Sequence, residues 1–571
     1  MESNFIHNTA STASGGAVFW WGANGTLTDS TFINNTAGSD GGGVWWNADN
    51  GTLMGSNFTN NKANNGAGVT WRGANGYLTN SNFSKNTAST SGGGVWWNGA
   101  YGILTNSNFI NNKATSWGGG GIYWNGASGT LMGSNFTNNS ASSNGGGVCW
   151  QATNGKVSNS KFNGNTASVG GGISWWLQAN GTLTNSNFTG NSASWAGGAI
   201  NWSGTNGTLT NSNFNSNIGT RFGGAVYWSG TNGIVTTSNF TNNQAMNGNN
   251  VCWAWNATTF LNEYHKINDF DYVYILNSVG APSSTVRLDK KGITISSQGD
   301  VTFDAKGGNV HFEVTGDNVL IEKITFRNFN FTNGSGGAIQ WNGTNGVLKN
   351  CKFINNSAVF GGGISWNGAN GTLTESSFTN NQATHGGAVS WGSANGVLTG
   401  CTFTNNTANL YGGGVFMGSV NDTLSYCTFI GNHAVQAAGV YYNCNNGTLT
   451  GCTFTNNTAT QWGGGVFFNR AGGLSNSIFT GNSANWNGGA IFWHVGNGYI
   501  VNCSFVNNKW IKSNGVYCNF DLIINGGNGI VNIFTEGTLS GISVVVLNNE
   551  TYYYPPNTNI NLPNKKIKNK R

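Results

Sequence analysis

Residues Gly181 to Asn206 read G-T-L-T-N-S-N-F-T-G-N-S-A-S-W-A-G-G-A-I-N-W-S-G-T-N, and Gly207 to Asn232 repeat them almost letter for letter. A fixed period of 20 to 50 residues marks a solenoid, propeller or array. The phenylalanine of F-x-x-N recurs from Phe5 to Phe240, and again from Phe353 to Phe505, at steps of 25 to 27 residues. A four-stranded propeller blade needs more residues than that. The leucine and asparagine pattern of leucine-rich repeats is missing.

Within one unit the apolar residues alternate. Ile200 and Trp202 share a face, as do Val226 and Trp228, because strand side chains have a period of two. Ser186-Asn187-Phe188 and Thr182-Leu183-Thr184 behave alike. The unit therefore reads as three short strands separated by Gly, Asn and Ser, residues that suit turns. Three strands cannot bury a face alone, but stacked about 4.8 Å apart they pair into parallel sheets around one core. The sequence predicts an all-β, right-handed parallel β-helix of 25–27 residues per coil. Eighteen or so coils would make a rod on the order of 90 Å.

Stacking accounts for the composition. A tryptophan recurs from Trp20 to Trp253, and again at Trp341, Trp366 and Trp391, followed by Met417, Tyr442, Phe468 and Trp493 in the same place. Placed inward, each ring is worth about 4–6 kcal/mol gross in buried area, an upper bound. The asparagine three residues after each Phe, such as Asn35, Asn61 and Asn86, is expected to form a second column bonded to the coils above and below. Cys351, Cys401, Cys427, Cys452 and Cys503 take the place of the serine before the Phe strand, and read as small inward thiols.

The pattern divides the chain. Residues 1–255 form β-helix block one, and 256–284 an irregular interruption. Block two spans 285–528, with plainer leading coils to about 330. Residues 529–571 read as the start of a β-sandwich stub, an Ig-like segment with a basic tail. Only 7% of residues are charged, against about 25% in ordinary domains. The net charge of +6 is thinly spread apart from Lys565 to Arg571, which reads as a solvated end, so no nucleic-acid partner is expected. No transmembrane run or secretory signal is visible. Met1 to Ala10 already reads as the middle of a unit, so the expectation is a fragment whose export signal lies upstream.

The signature Gly-Gly-Ala-Ile/Val at 197–200, 223–226, 336–339, 386–389 and 488–491, combined with F-x-x-N, resembles the repeat of chlamydial polymorphic outer membrane proteins. The longer pattern looks even more like the adhesin-like surface proteins of methanogenic archaea. There, Gly292 to Ile339 resembles the usual beginning of the β-helix, and 529–563 the start of an Ig-like repeat. The resemblance implies export, display at the cell surface or outside the cell, and adhesion. Neither an outer-membrane barrel nor a complete anchoring module is seen in this sequence. Attachment is thus expected to come from sequence or a protein outside it.

Three functions compete. The first is a non-enzymatic adhesin or spacer. The second is a β-helix polysaccharide lyase or hydrolase, whose carboxylates must come from 289–322: Asp289, Asp300, Asp304, Glu313, Asp317 and Glu322, with Lys290, Lys291 and Arg327. Asp304 and Arg327 follow equivalent phenylalanines and are expected to form an exposed pair one coil apart. The third, ice binding, rests on Thr-x-Thr rows such as Thr182/Thr184 and Thr208/Thr210, which other coils interrupt. The six histidines are scattered, so neither metal nor cofactor is expected. The candidate ligand surface is a strip of outward residues on the last five coils, Phe416, Tyr441, Phe467, Phe492 and Tyr517. Aromatics in a row form an exposed apolar patch that suits a glycan or a cell-surface protein.

Overall fold

The computed structural model describes residues 3–510 except 300, 487, 495–497, 502 and 507, and beyond them the strand backbones at 531–536, 543–547, 550–554 and 560–562. The fold is an all-β, right-handed parallel solenoid of about 19 turns. Two compact units compose it, Met1–Trp255 with Asp271–Tyr274, and Asn256–Phe270 with Ile275–Arg571.

In the first unit one coil runs through Thr182–Thr184, Asn187–Thr189, Ser192–Ala196 and Ile200–Trp202. That is four strands per coil, not the three expected from the sequence. The extra strand carries Ala193 inward, and alanine is too small to stand out as an apolar alternation. Each strand pairs in parallel with its copy in the next coil: Leu183 with Leu209, Phe188 with Phe214, Trp202 with Trp228. The four resulting sheets are named below for their inward residue: leucine, phenylalanine, alanine and tryptophan.

The columns inside are continuous. Trp202 is fully buried and stacks on Trp175 at 4.6 Å and on Trp228 at 4.5 Å between ring centroids. The ring lies against Gly207, where any Cβ would run into the indole. Phe188 stacks between Phe162 and Phe214 at 4.7 and 4.9 Å. Beside it runs the asparagine ladder. Asn191 gives both its backbone N–H and its Nδ2 to Asn217 Oδ1, at 3.0 and 2.9 Å, and Nδ2 also bonds the Phe162 carbonyl at 2.9 Å. A fully buried amide is thereby satisfied by the coils on either side. The turn into the phenylalanine strand uses the left-handed region, with Asn185 at φ 49°, which asparagine tolerates.

The second unit repeats these rules with variations. One short helix, Ala257–Glu263, is capped by Asn256 Oδ1 accepting from Thr259 N, and sets Phe260 5.6 Å from Phe303. Trp341, Trp366 and Trp391 stack at 4.4 and 4.6 Å. The next coil has Met417 instead. Gly371 and Gly396 admit no side chain because a Cβ would strike Trp366 and Trp391, but in the methionine coil that position is Asp422, fully buried. Its Oδ1 accepts from Gly396 N at 2.9 Å, while Oδ2 has no partner. Burial pushes the Asp422 carboxyl up to about 7. The eight described cysteines are buried, and the column of Cys401, Cys427 and Cys452 donates its thiols to backbone carbonyls. The expected Ig-like segment, like Tyr517, falls outside the described residues or on strands described by backbone alone.

Candidate functional site

Phe416, Tyr441 and Phe467 do stack along the outer face of the tryptophan sheet, at 5.5 and 4.8 Å between centroids, and Phe492 continues the row at a tilt, 5.0 Å from Phe467. The strip is not the open one expected. Tyr441 and Phe467 are only 7% and 4% exposed. A second row covers them, made of the residue that precedes each corner, with Gln436 standing between Tyr411 and Trp462. Tyr411 lies 4.8 Å from Tyr441, and Trp462 lies 6.5 Å from Phe467 and 5.9 Å from Phe492. At Gly412, φ is +67°, and this turn folds Tyr411 back toward the strand that follows. The accessible surface therefore comes from half-buried Tyr411, Phe416, Trp462 and Phe492, with Trp486, 44% exposed, packed edge-on against Trp462 at 5.2 Å. His385 continues the second row between Phe360 and Tyr411, at 4.9 and 5.2 Å. Burial lowers its pKa, which favours the neutral ring. Burial likewise pushes the Tyr441 phenol up to about 12, with Tyr411 adding to the effect.

Sequence alternation missed this second row because it sits on a bend. The signal was present as an aromatic residue directly before Gly-Gly, at Phe222, Phe360, Tyr411 and Trp462. The same corner of the first unit gathers Trp195, Phe222, Tyr227 and Tyr274, with Phe222 4.8 Å from Tyr274.

The acidic set 289–322 does not converge. Asp304, Glu313 and Glu322 lie on three different sheets. Asp304 and Arg327 are direct partners in register, joined at 2.8 Å, but Asp304 is 7% exposed rather than open. Burial raises its pKa, and hydrogen bonds from Asn328, Lys306 N and Arg327 outweigh that and hold the carboxyl below its ordinary value. Glu313 pairs with Arg287 at 3.0 Å, Asp289 with Lys290 at 3.4 Å, and Glu322 accepts from Ser296 at 2.6 Å and from Lys323. The backbone and hydroxyl of Thr344 hold Asp317 below the usual carboxylate range. Asp300 lies outside the described residues.

The geometry defines a right-handed parallel β-helix repeat protein, and two family models agree. The family described as right handed beta helix region matches residues 271–412 and 338–510. The chlamydial polymorphic membrane protein repeat matches residues 29–45. No curated protein matches the chain by sequence. Among solved structures, an alginate lyase of the PL6 family, AlyGC, aligns over 88% of this chain and 97% of its own, with 9% identity and a TM-score of 0.28. A mutant of the same lyase aligns at 8% identity over 87% and 97%, again with a TM-score of 0.28. At those values the likeness carries no argument about activity. No helix among the described residues is long and apolar enough to cross a membrane.

Proposed function

We propose that the chain is a non-enzymatic cell-surface adhesin or spacer. In this reading it contacts glycans or a cell-surface protein of another cell or host through the aromatic corner of its second unit. The observation that carries this is the pair of interlocked ring rows, whose outer members are left part-exposed. Aromatic rings offer a large, rigid apolar face, and the hydroxyl of Tyr411 adds a polar edge. A sugar ring presents the complementary combination of C–H faces and hydroxyl rims. The match to a polymorphic membrane protein repeat supports display outside the cell.

Binding to immobilised glycans and to whole cells tests the proposal. Replacing Tyr411, Phe416 and Trp462 together with Ser should abolish binding, and Trp462→Ser with Trp486→Ser, which leaves the floor intact, should weaken it. Binding as strong as the parent's in either folded variant places the site elsewhere. The lyase or hydrolase alternative has its own test. Unsaturated or reducing sugars released from a polysaccharide panel, and lost in Asp304→Asn or Glu313→Gln, would replace this reading with the enzymatic one.

A further inference from the structure

From Asn50 through Asn262 the chain contains no aspartate and no glutamate, yet it carries seven lysines and arginines. That stretch alone bears +7, more than the +6 of the whole chain, so the tail is not its only concentration of positive charge. All seven side chains are exposed, and none takes part in an ion pair among the described residues. Arg72 and Arg221 lie over the rings of Trp45 and Phe222.

Three of the seven line up. Lys62 is in register with Thr87, and Thr87 with Lys113. Lys85, two residues ahead of Thr87, occupies the left-handed turn that Asn60 and Asn111 fill in the flanking coils. The edge between the phenylalanine and alanine sheets thus presents one cation per coil on three successive coils, about 4.8 Å apart along the stack. Neutral hydrogen-bonding groups surround them. Asn57, Asn82 and Asn108 form an exposed amide ladder at 2.9 and 2.8 Å, and Ser89 and Thr115 stand beside the alanine strands.

We propose that this edge of the first unit is a binding track for an anionic polysaccharide, a hydroxyl-rich chain bearing carboxylates or sulfates. Charge complementarity argues for it, since eight coils without a single acidic side chain offer such a ligand no repulsion. The amides and hydroxyls beside the lysines match sugar hydroxyls. A single-stranded nucleic acid would need rings to stack its bases, and the outward neighbours on these strands are Thr59, Ser84 and Ile110. The track is separate from the aromatic corner, and either can fail without the other.

The test uses the full chain with polygalacturonate and dextran sulfate as probes. Saturable binding that weakens as salt is added is expected. The combined Lys62→Gln, Lys85→Gln and Lys113→Gln variant should bind about tenfold more weakly or worse, with unchanged hydrogen-exchange protection of its coils. Lys565→Gln, Lys566→Gln and Lys568→Gln together should bind as the parent does. The proposal is overturned if neither polyanion binds or if neutral dextran binds equally well. It also fails if the three-lysine variant binds as the parent does, whatever the tail variant does. Tighter binding of a single-stranded oligonucleotide, lost in the three-lysine variant, would make the edge a nucleic-acid surface instead.

Discussion

Replacing Trp202 with Ser removes a fully buried indole that two neighbouring indoles sandwich at 4.6 and 4.5 Å. The lost burial is worth about 4–6 kcal/mol gross, and each stacked contact about 0.5–1.5 more. Partial relaxation of the cavity brings the expected cost to about 3–5 kcal/mol. In a solenoid that cost falls on the coil and its nearest neighbours, so global melting is a poor readout. Hydrogen exchange is the better assay: amides of Ile173–Trp175, Ile200–Trp202 and Val226–Trp228 should lose about a thousandfold in protection. Trp202→Phe should cost much less, within about 1.5 kcal/mol. The indole Nε1 has no partner to lose, and Phe468 fills the same position in the second unit, stacked on Tyr442 at 5.0 Å. Parent-like protection in the Ser variant, or equal losses in both, would refute the inward stack.

Two other perturbations follow from the same interior. The folded pKa of Asp422 is raised from 3.8 to about 7, so the stability it contributes is present below about pH 4 and is lost as pH rises toward 7. A rise of that size corresponds to roughly 4 kcal/mol as an upper bound. Proteolysis of the coils around Asp422 should accelerate across that window in the parent and stay flat in Asp422→Asn; a pH dependence that survives the substitution assigns the effect to another group. Asn191→Ala takes the acceptor from Asn165 N and Nδ2 and a donor from the Phe162 carbonyl, for about 3 kcal/mol or more in local exchange protection. A loss below about 1 kcal/mol would mean that water replaces the ladder.

The interior was legible in the sequence because identical neighbours must meet in a parallel stack. Once the period was fixed, Phe188 had to meet Phe214 and Trp202 had to meet Trp228. The alanine strand was not legible, because Ala193 contributes too little apolar surface to mark a face. The aromatic corner was half legible. Alternation places Tyr441 and Phe467 outward, but only the backbone bend at Gly412 shows that Tyr411 closes over them. Burial of Asp304 escaped for a similar reason. Register gave its partner Arg327, whereas its exposure depends on how Lys306 N and Asn328 wrap the carboxylate.

Adhesion itself tests the central claim most directly. Non-adherent cells made to display the chain should bind glycan-coated surfaces or target cells, and cells displaying the Tyr411, Phe416 and Trp462 to Ser variant at equal density should not. Equal attachment of both, or attachment of neither, would contradict the account.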